Sequence, residues 1–218
     1  MLFQIIVVIS SLEVSLNSLK NLKKLRNLKN LMKNMMNNQP LIKPTGDYNK
    51  LLCYQKAECL YDITCYFIEH FLRRGDRTID QMKQAARSGK QNISEGYTRA
   101  GTSKDTAIKL IDVAKSSLIE LHDDYRDYLR SHVYRQWEND SKEVVAMREI
   151  GRKHNDSPFY MQLIATRPPE TIANIAICLQ KQTDYLIAKL LEKLSKDFLA
   201  KGGFRERMTK MRKGFLVL

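Results

Sequence analysis

Glycine and proline are scarce in this chain, 9 and 5 among 218 residues. Folds built from many short strands need turn residues at every reversal, so the scarcity argues against an all-β architecture and leaves helices. Cysteine is sparse too. Cys53, Cys59, Cys65 and Cys178 form no C-x-x-C pair. The first three are six residues apart, a step that turns a helix by about 240°, so they cannot share a metal. Reduced, mostly buried thiols of a cytoplasmic protein are the expectation. Long apolar runs are missing as well. Leu2–Ile9 is too short to span a bilayer and lacks both a preceding positive charge and an A-x-A cleavage site, so neither a signal peptide nor a membrane partner is expected. No P-loop, no G-x-G-x-x-G after a strand and no G-x-S-x-G is present. A di-iron bundle needs Glu three residues before His. Here Phe67, Ile119, Leu129 and Gly151 precede His70, His122, His132 and His154 at that spacing. No cofactor, metal site or enzyme activity is expected.

What the chain does have is positive charge, a formal +13, with 43% hydrophobic residues, enough for a core. The ends carry much of it: residues 1–36 are net +5 and residues 204–218 net +4, leaving +4 for the middle. Within residues 1–36, Leu16, Leu19, Leu22, Leu25, Leu28 and Leu31 recur at a strict step of three. Such a step slips about 60° per leucine around a helix and builds no stripe. Residues 1–36 therefore read as a low-complexity extension, non-native or disordered, with the native start at Met35 or Met36.

Residues 48–203 read as an all-α, antiparallel up-down four-helix bundle with an insert at 130–168 between its third and fourth helices. The first helix is expected over 49–74, with Cys53, Ala57, Leu60, Thr64, Phe67 and Phe71 on one face, Arg73 and Arg74 in its last turn and Gly75 as its cap. Thr78 to Gln81 has the form of a capping box for the second. Its stripe of Ile79, Met82, Ala86, Gly89, Ile93 and Gly96 is rich in small residues, which implies close approach to a neighbour. After a turn at 101–103, Ala107, Ile111, Ala114, Leu118, Leu121, Tyr125 and Tyr128 make a bundle seam. The insert holds the only tryptophan, Trp137, a short helical candidate at 141–153 and a turn-rich stretch at 154–158. The fourth helix starts at Pro168-Pro169, carries Ile172, Ala176, Leu179, Thr183, Leu186, Leu190, Leu194 and Phe198, and stops at Gly202-Gly203. A basic suffix of mixed character, 204–218, follows.

Basic residues are the best candidates for function, because Lys and Arg on a helical face neutralise phosphates without reading sequence. They are Arg73, Arg74 and Arg77 at the first corner, Lys83, Arg87 and Lys90 on the second helix, Arg99 and Lys104 at the next corner, and Arg148, Arg152 and Lys153 in the insert. His122-Asp123-Asp124 diverge by about 100° per residue and form no site by spacing alone. The Arg126–His132 and Arg148–His154 spacings resemble the Arg-and-His motif of all-α ribonucleases of the HEPN superfamily, in which the His serves as base and the Arg steadies the phosphate. Surface Arg and His at helix ends are the plainer reading of both.

Gln91-Asn92-Ile93-Ser94-Glu95-Gly96 followed by Ser117-Leu118-Ile119-Glu120-Leu121 resembles a bacterial family of small four-helix-bundle proteins. The family includes proteins encoded in intervening sequences of large-subunit ribosomal RNA genes and the accessory variability determinant of diversity-generating retroelements. The likeness covers roughly residues 54–199, and the insert and suffix look like a subgroup with a C-terminal extension of the bundle. The resemblance implies a homo-oligomer, a pentamer in the retroelement protein, that engages RNA or DNA and a reverse transcriptase or other protein partner. It places Glu95 and Glu120 in structural roles and Arg87, Lys90 and Arg99 on a binding surface. The expectation is a non-enzymatic nucleic-acid-binding accessory protein. A HEPN-like ribonuclease and a protein–protein adaptor without nucleic acid are the alternatives.

Overall fold

The computed structural model describes Arg26 and residues 46–215. The chain divides into units Met1–Leu41 and Ile42–Leu218, and the second is described below. The extension expected over residues 1–36 and its start site lie outside the described residues, Arg26 apart.

Among the described residues there is no strand. A 3-10 turn, Tyr48–Lys50, leads into α1 (Leu52–Phe71), α2 (Arg77–Arg99), α3 (Lys104–Ser131), α4 (Lys142–Lys153), α5 (Ser157–Ile164), α6 (Pro169–Lys201) and α7 (Phe204–Phe215). Four pairings dominate: α1 on α2, α2 on α3, α3 on α6 and α6 on α1. The α2–α3 pair is the most extensive, and small residues explain it. A Cβ built on Gly89 would lie 2.5 Å from Leu118 Cδ2, and one on Gly96 would lie 2.8 Å from Ile111 Cδ1 and 3.1 Å from the Ala107 carbonyl. The whole expected α3 seam, Ala107 to Tyr128, is buried. Full burial of a Leu or Ile side chain is worth about 1.5–3 kcal/mol, so this seam is a principal source of cohesion. At one end of the core Phe67 packs edge-on against Tyr125 and Tyr128, ring centroids 5.1 and 4.7 Å away. The Tyr125 hydroxyl donates to Thr64 Oγ1 at 3.0 Å, and Thr64 in turn donates to the Leu60 carbonyl at 2.7 Å, so the buried polar atoms are paired.

Several boundaries differ from expectation. Helix α1 starts at Leu52 and stops at Phe71, and Leu72 is extended. Arg73 and Arg74 therefore lie in the turn rather than in the last helical turn, and Gly75 (φ 92°) serves the turn rather than capping α1. The cap of α2 is Asp76, whose side chain accepts from the Thr78 N–H at 2.9 Å, two residues earlier than the expected box. Just after α3, beyond its cap His132, Val133 sits at φ 55°, a left-handed position that glycine normally fills.

The insert is more ordered than its turn residues suggested. Helix α4 matches the candidate at 141–153, capped by the Ser141 hydroxyl, which accepts from the Val144 N–H at 3.3 Å. Of the stretch expected to be turns, residues 154–156 are non-helical, while Ser157 and Pro158 start α5, where Asp156 caps and Pro158 sits in the first turn, a position proline favours. Helix α4 packs on α6 and α5 on α1. Cover by α4 and by the 135–137 segment, bonded to Asn174, accompanies the burial of Ile172 to Gln180, nine consecutive residues of α6 rather than only one stripe. Beyond Gly202, Phe204–Phe215 of the suffix are helical, and the Glu206 carboxylate accepts from the Gly203 N–H at 3.0 Å.

Candidate nucleic-acid interface

Helix α2 carries five cations, Arg77, Lys83, Arg87, Lys90 and Arg99, against Asp80 and Glu95. Helix α3 carries five against six carboxylates. On α3 the cations are mostly spoken for: Lys109 pairs with Asp105 at 2.9 Å, Lys115 with Asp184 at 3.7 Å, Arg126 with Asp123 at 3.4 Å and Arg130 with Asp127 at 2.9 Å. In contrast, Arg73, Arg74, Arg77, Lys83, Arg87 and Arg99 are exposed, and their side chains make no hydrogen bond or ion pair among the described residues. The α1–α2 corner and the outer side of α2 thus hold uncompensated charge.

Two of the expected contacts are engaged within the fold. Lys90 lies 3.9 Å from Glu58 and 4.4 Å above the Tyr61 ring, which leaves Lys83 and Arg87 as the accessible pair of that face. Lys104 is buried and donates to the Asp197 carbonyl at 2.6 Å, joining the start of α3 to the end of α6. The side chains of Glu95 and Glu120 are exposed and have no hydrogen-bond or ion-pair partner among the described residues.

The insert candidates stand elsewhere, around a cavity of about 680 Å³ between α1, α4 and α6. Arg148 and Arg152, four residues apart on α4, line it together with Lys181 of α6, and Trp137 and Tyr185 add aromatic wall. Lys153, exposed on the last turn of α4, is not in that wall. Arg152 also pairs with Glu149.

What anchors the insert escaped the sequence reading. Lys56, only 2% exposed, donates to the carbonyls of Gly151 (2.5 Å) and His154 (2.7 Å) and to the Tyr160 hydroxyl (3.2 Å). A lysine of α1 thereby satisfies carbonyls at the C-terminal end of α4 that the helix leaves open. Burial lowers its pKa to about 8. Asn174 does the same for the segment before α4: its Oδ1 accepts from the Trp137 N–H at 2.8 Å and its amide donates to the Arg135 carbonyl at 2.9 Å. Gln182 donates to the Met147 carbonyl at 3.0 Å and lies so close to Gly151 that a Cβ there would meet it. The available signal was a polar residue inside an apolar stretch, Lys56 beside Cys53, Ala57 and Leu60, and Asn174 within Ile172–Leu179.

The histidine pairs do not converge in hydrogen bonds. His132 Nδ1 sits 2.9 Å from the Tyr128 carbonyl and its ring stacks on Tyr128, while Arg126 turns to Asp123. The His154 ring stacks on Phe159 with centroids 3.6 Å apart. His122 Nδ1 is 3.2 Å from Asp123. Burial, followed by the nearby Asp127, Glu120 and Asp123, pushes Asp124 up to about 6. Burial holds Cys53 and Cys178 up at about 11 and Cys59 at about 12, so all three are thiols at neutral pH, poor ligands and poor nucleophiles. No group of three or more His, Cys, Asp or Glu among the described residues is placed to hold a metal ion. Among the same residues no helix is long and apolar enough to cross a membrane. No protein-family model, curated protein or solved structure matches the chain.

Proposed function

We propose that α1, α2, α3 and α6 form an antiparallel up-down four-helix bundle that self-associates and binds nucleic acid as a non-enzymatic accessory protein. The four dominant pairings, each helix on two others, together with the short connections at 72–76 and 100–103, support the bundle. The observation that carries the binding is the set of six exposed, unpaired cations at the α1–α2 corner and along α2, opposed to the neutralised surface of α3. Cations without internal partners release counterions from a polyanion at little cost to the fold. The resemblance to the intervening-sequence and retroelement accessory proteins adds the homo-oligomer, pentameric in the latter, and a protein partner such as a reverse transcriptase. The exposed, unpartnered Glu95 and Glu120 suit contacts between copies better than contacts within one. The setting is the cytoplasm.

Fluorescence anisotropy with mixed-sequence RNA and DNA over a range of salt, after the solution mass is measured, tests this. Affinity should fall steeply with salt, by about 0.9 in the log–log slope per phosphate contact on duplex DNA. Replacing Lys83 and Arg87 by Gln should lower that slope by about 2. Absence of binding at low salt would refute the nucleic-acid reading and leave a protein adaptor.

A further inference from the structure

The cavity between α1, α4 and α6 has an unusual wall. Lys56, Arg148, Arg152 and Lys181 all line it, and no carboxylate does. Their charges stay uncompensated to different degrees. Arg148 has no hydrogen-bond or ion-pair partner among the described residues. Lys181 donates to a neutral acceptor, Asn139 Oδ1, at 3.0 Å. Lys56 spends its donors on two carbonyls and a hydroxyl, so it contributes field rather than a contact. Arg152 is matched by Glu149, but both are largely exposed, and an exposed pair of this kind costs little to exchange. Such a concentration of positive charge against a part-enclosed wall attracts an anion.

The cavity also has a second element. Trp137 and Tyr185 both line it, and Tyr185 is 62% exposed, an aromatic ring left facing solvent. Aromatic faces beside arginines are what a planar base requires, by stacking and by cation–π contact. A volume of about 680 Å³ lies within the range of small-molecule sites. The walls are held in place beforehand: Lys56 and Gln182 fix α4, and Asn174 fixes the backbone of Trp137. Preorganisation of this kind reduces the entropy lost on binding.

We propose that this cavity binds a nucleoside phosphate, with Arg148 and Lys181 meeting the phosphate and Trp137 and Tyr185 flanking the base. The inference goes beyond the nucleic-acid reading and does not rest on the α2 surface. The ligand is either a free nucleotide or the terminal nucleotide of a single strand, since both present the same chemistry.

Trp137 is the only tryptophan, so fluorescence excited selectively at the red edge of the tryptophan band, beyond tyrosine absorption, reports this site. The full chain is titrated with ADP, with pyrophosphate and with a 5′-phosphorylated single-stranded oligonucleotide. Saturable quenching by ADP is expected, with pyrophosphate binding more weakly because it offers no ring. Arg148→Gln and Lys181→Gln should each lower ADP affinity roughly tenfold, about 1.4 kcal/mol per decade. The Lys83 and Arg87 replacements should leave it unchanged, which separates this site from the α2 surface. Tighter binding of ADP assigns the site to free nucleotide, and tighter binding of the oligonucleotide to a strand end. The proposal is overturned if neither ligand changes the fluorescence at millimolar concentration, if pyrophosphate binds as well as ADP, or if the Arg148 and Lys181 variants retain full affinity.

Discussion

Replacing Lys56 with Met should change how stability depends on pH more than it changes stability at any one pH. At neutral pH two effects oppose each other. The variant removes the lysine donor from the Gly151 and His154 carbonyls and the Tyr160 hydroxyl; His154 and Tyr160 keep their own 3.4 Å hydrogen bond, and an acceptor left buried and unpaired costs roughly 1–3 kcal/mol. It also removes a buried charge. The lysine falls from 10.5 to about 8 on folding because burial disfavours its charged form. That difference corresponds to about 3 kcal/mol, at 1.36 kcal/mol per unit. Below pH 8 both states are protonated and the burial cost is present in full. Between about 8 and 10.5 the unfolded chain holds a proton that the folded chain has released, so the lysine's contribution becomes more favourable as pH rises. Above that window the cost is gone. The burial-raised groups Cys53, Cys178 and Tyr125 act in the opposite direction in alkali, because the unfolded chain ionises them first. They are common to both proteins, so the quantity to follow is the difference between wild type and variant. Urea unfolding from about pH 7 to about 10.5 should show that difference shifting in favour of the wild type by up to about 3 kcal/mol. A difference that is flat across the window would mean that Lys56 is not buried as a cation, and the account of the insert's anchor would fall with it.

Three other outcomes are expected from the same geometry. Gly96→Val should destabilise by about 1–3 kcal/mol in chemical denaturation, because its side chain meets Ile111 and, less avoidably, the Ala107 carbonyl. Val133→Gly should raise stability by up to about 1 kcal/mol, since this side chain is 93% exposed and held at φ 55°, where a left-handed non-glycine residue is strained. Asn174→Ala should cost about 2–3 kcal/mol and shift Trp137 emission toward that of a solvated indole, because the Trp137 N–H and the Arg135 carbonyl lose their shared partner. Unchanged emission in that variant would show that the segment is held by other means.

The helical seams were legible because burial on a helix leaves a period. Ala107 to Tyr128 alternate at four and three, and all seven are buried. Gly89 and Gly96 announced a close approach, and the neighbours they admit are Leu118 and Ile111. The boundaries were less legible, since Asp76 and Thr78 are both competent caps and only the turn selects between them. The basic candidates could be found by residue type but not sorted. Nothing local distinguishes Lys104, buried against the Asp197 carbonyl, from Arg99, exposed five residues earlier.

Sequence by itself determined the all-helical character, the apolar faces of the long helices and the excess of positive charge, because each follows from local composition and period. Tertiary structure alone decided which charges are spent. It brought Lys56 under the end of α4, drew Lys90 toward Glu58 and Tyr61, and gathered Arg148, Arg152 and Lys181 around one cavity. Residues about a hundred positions apart meet there, Lys56 with His154 and Tyr160 among them. No period within a single helix encodes such a meeting, since it depends on how the insert folds back across α1 and α6.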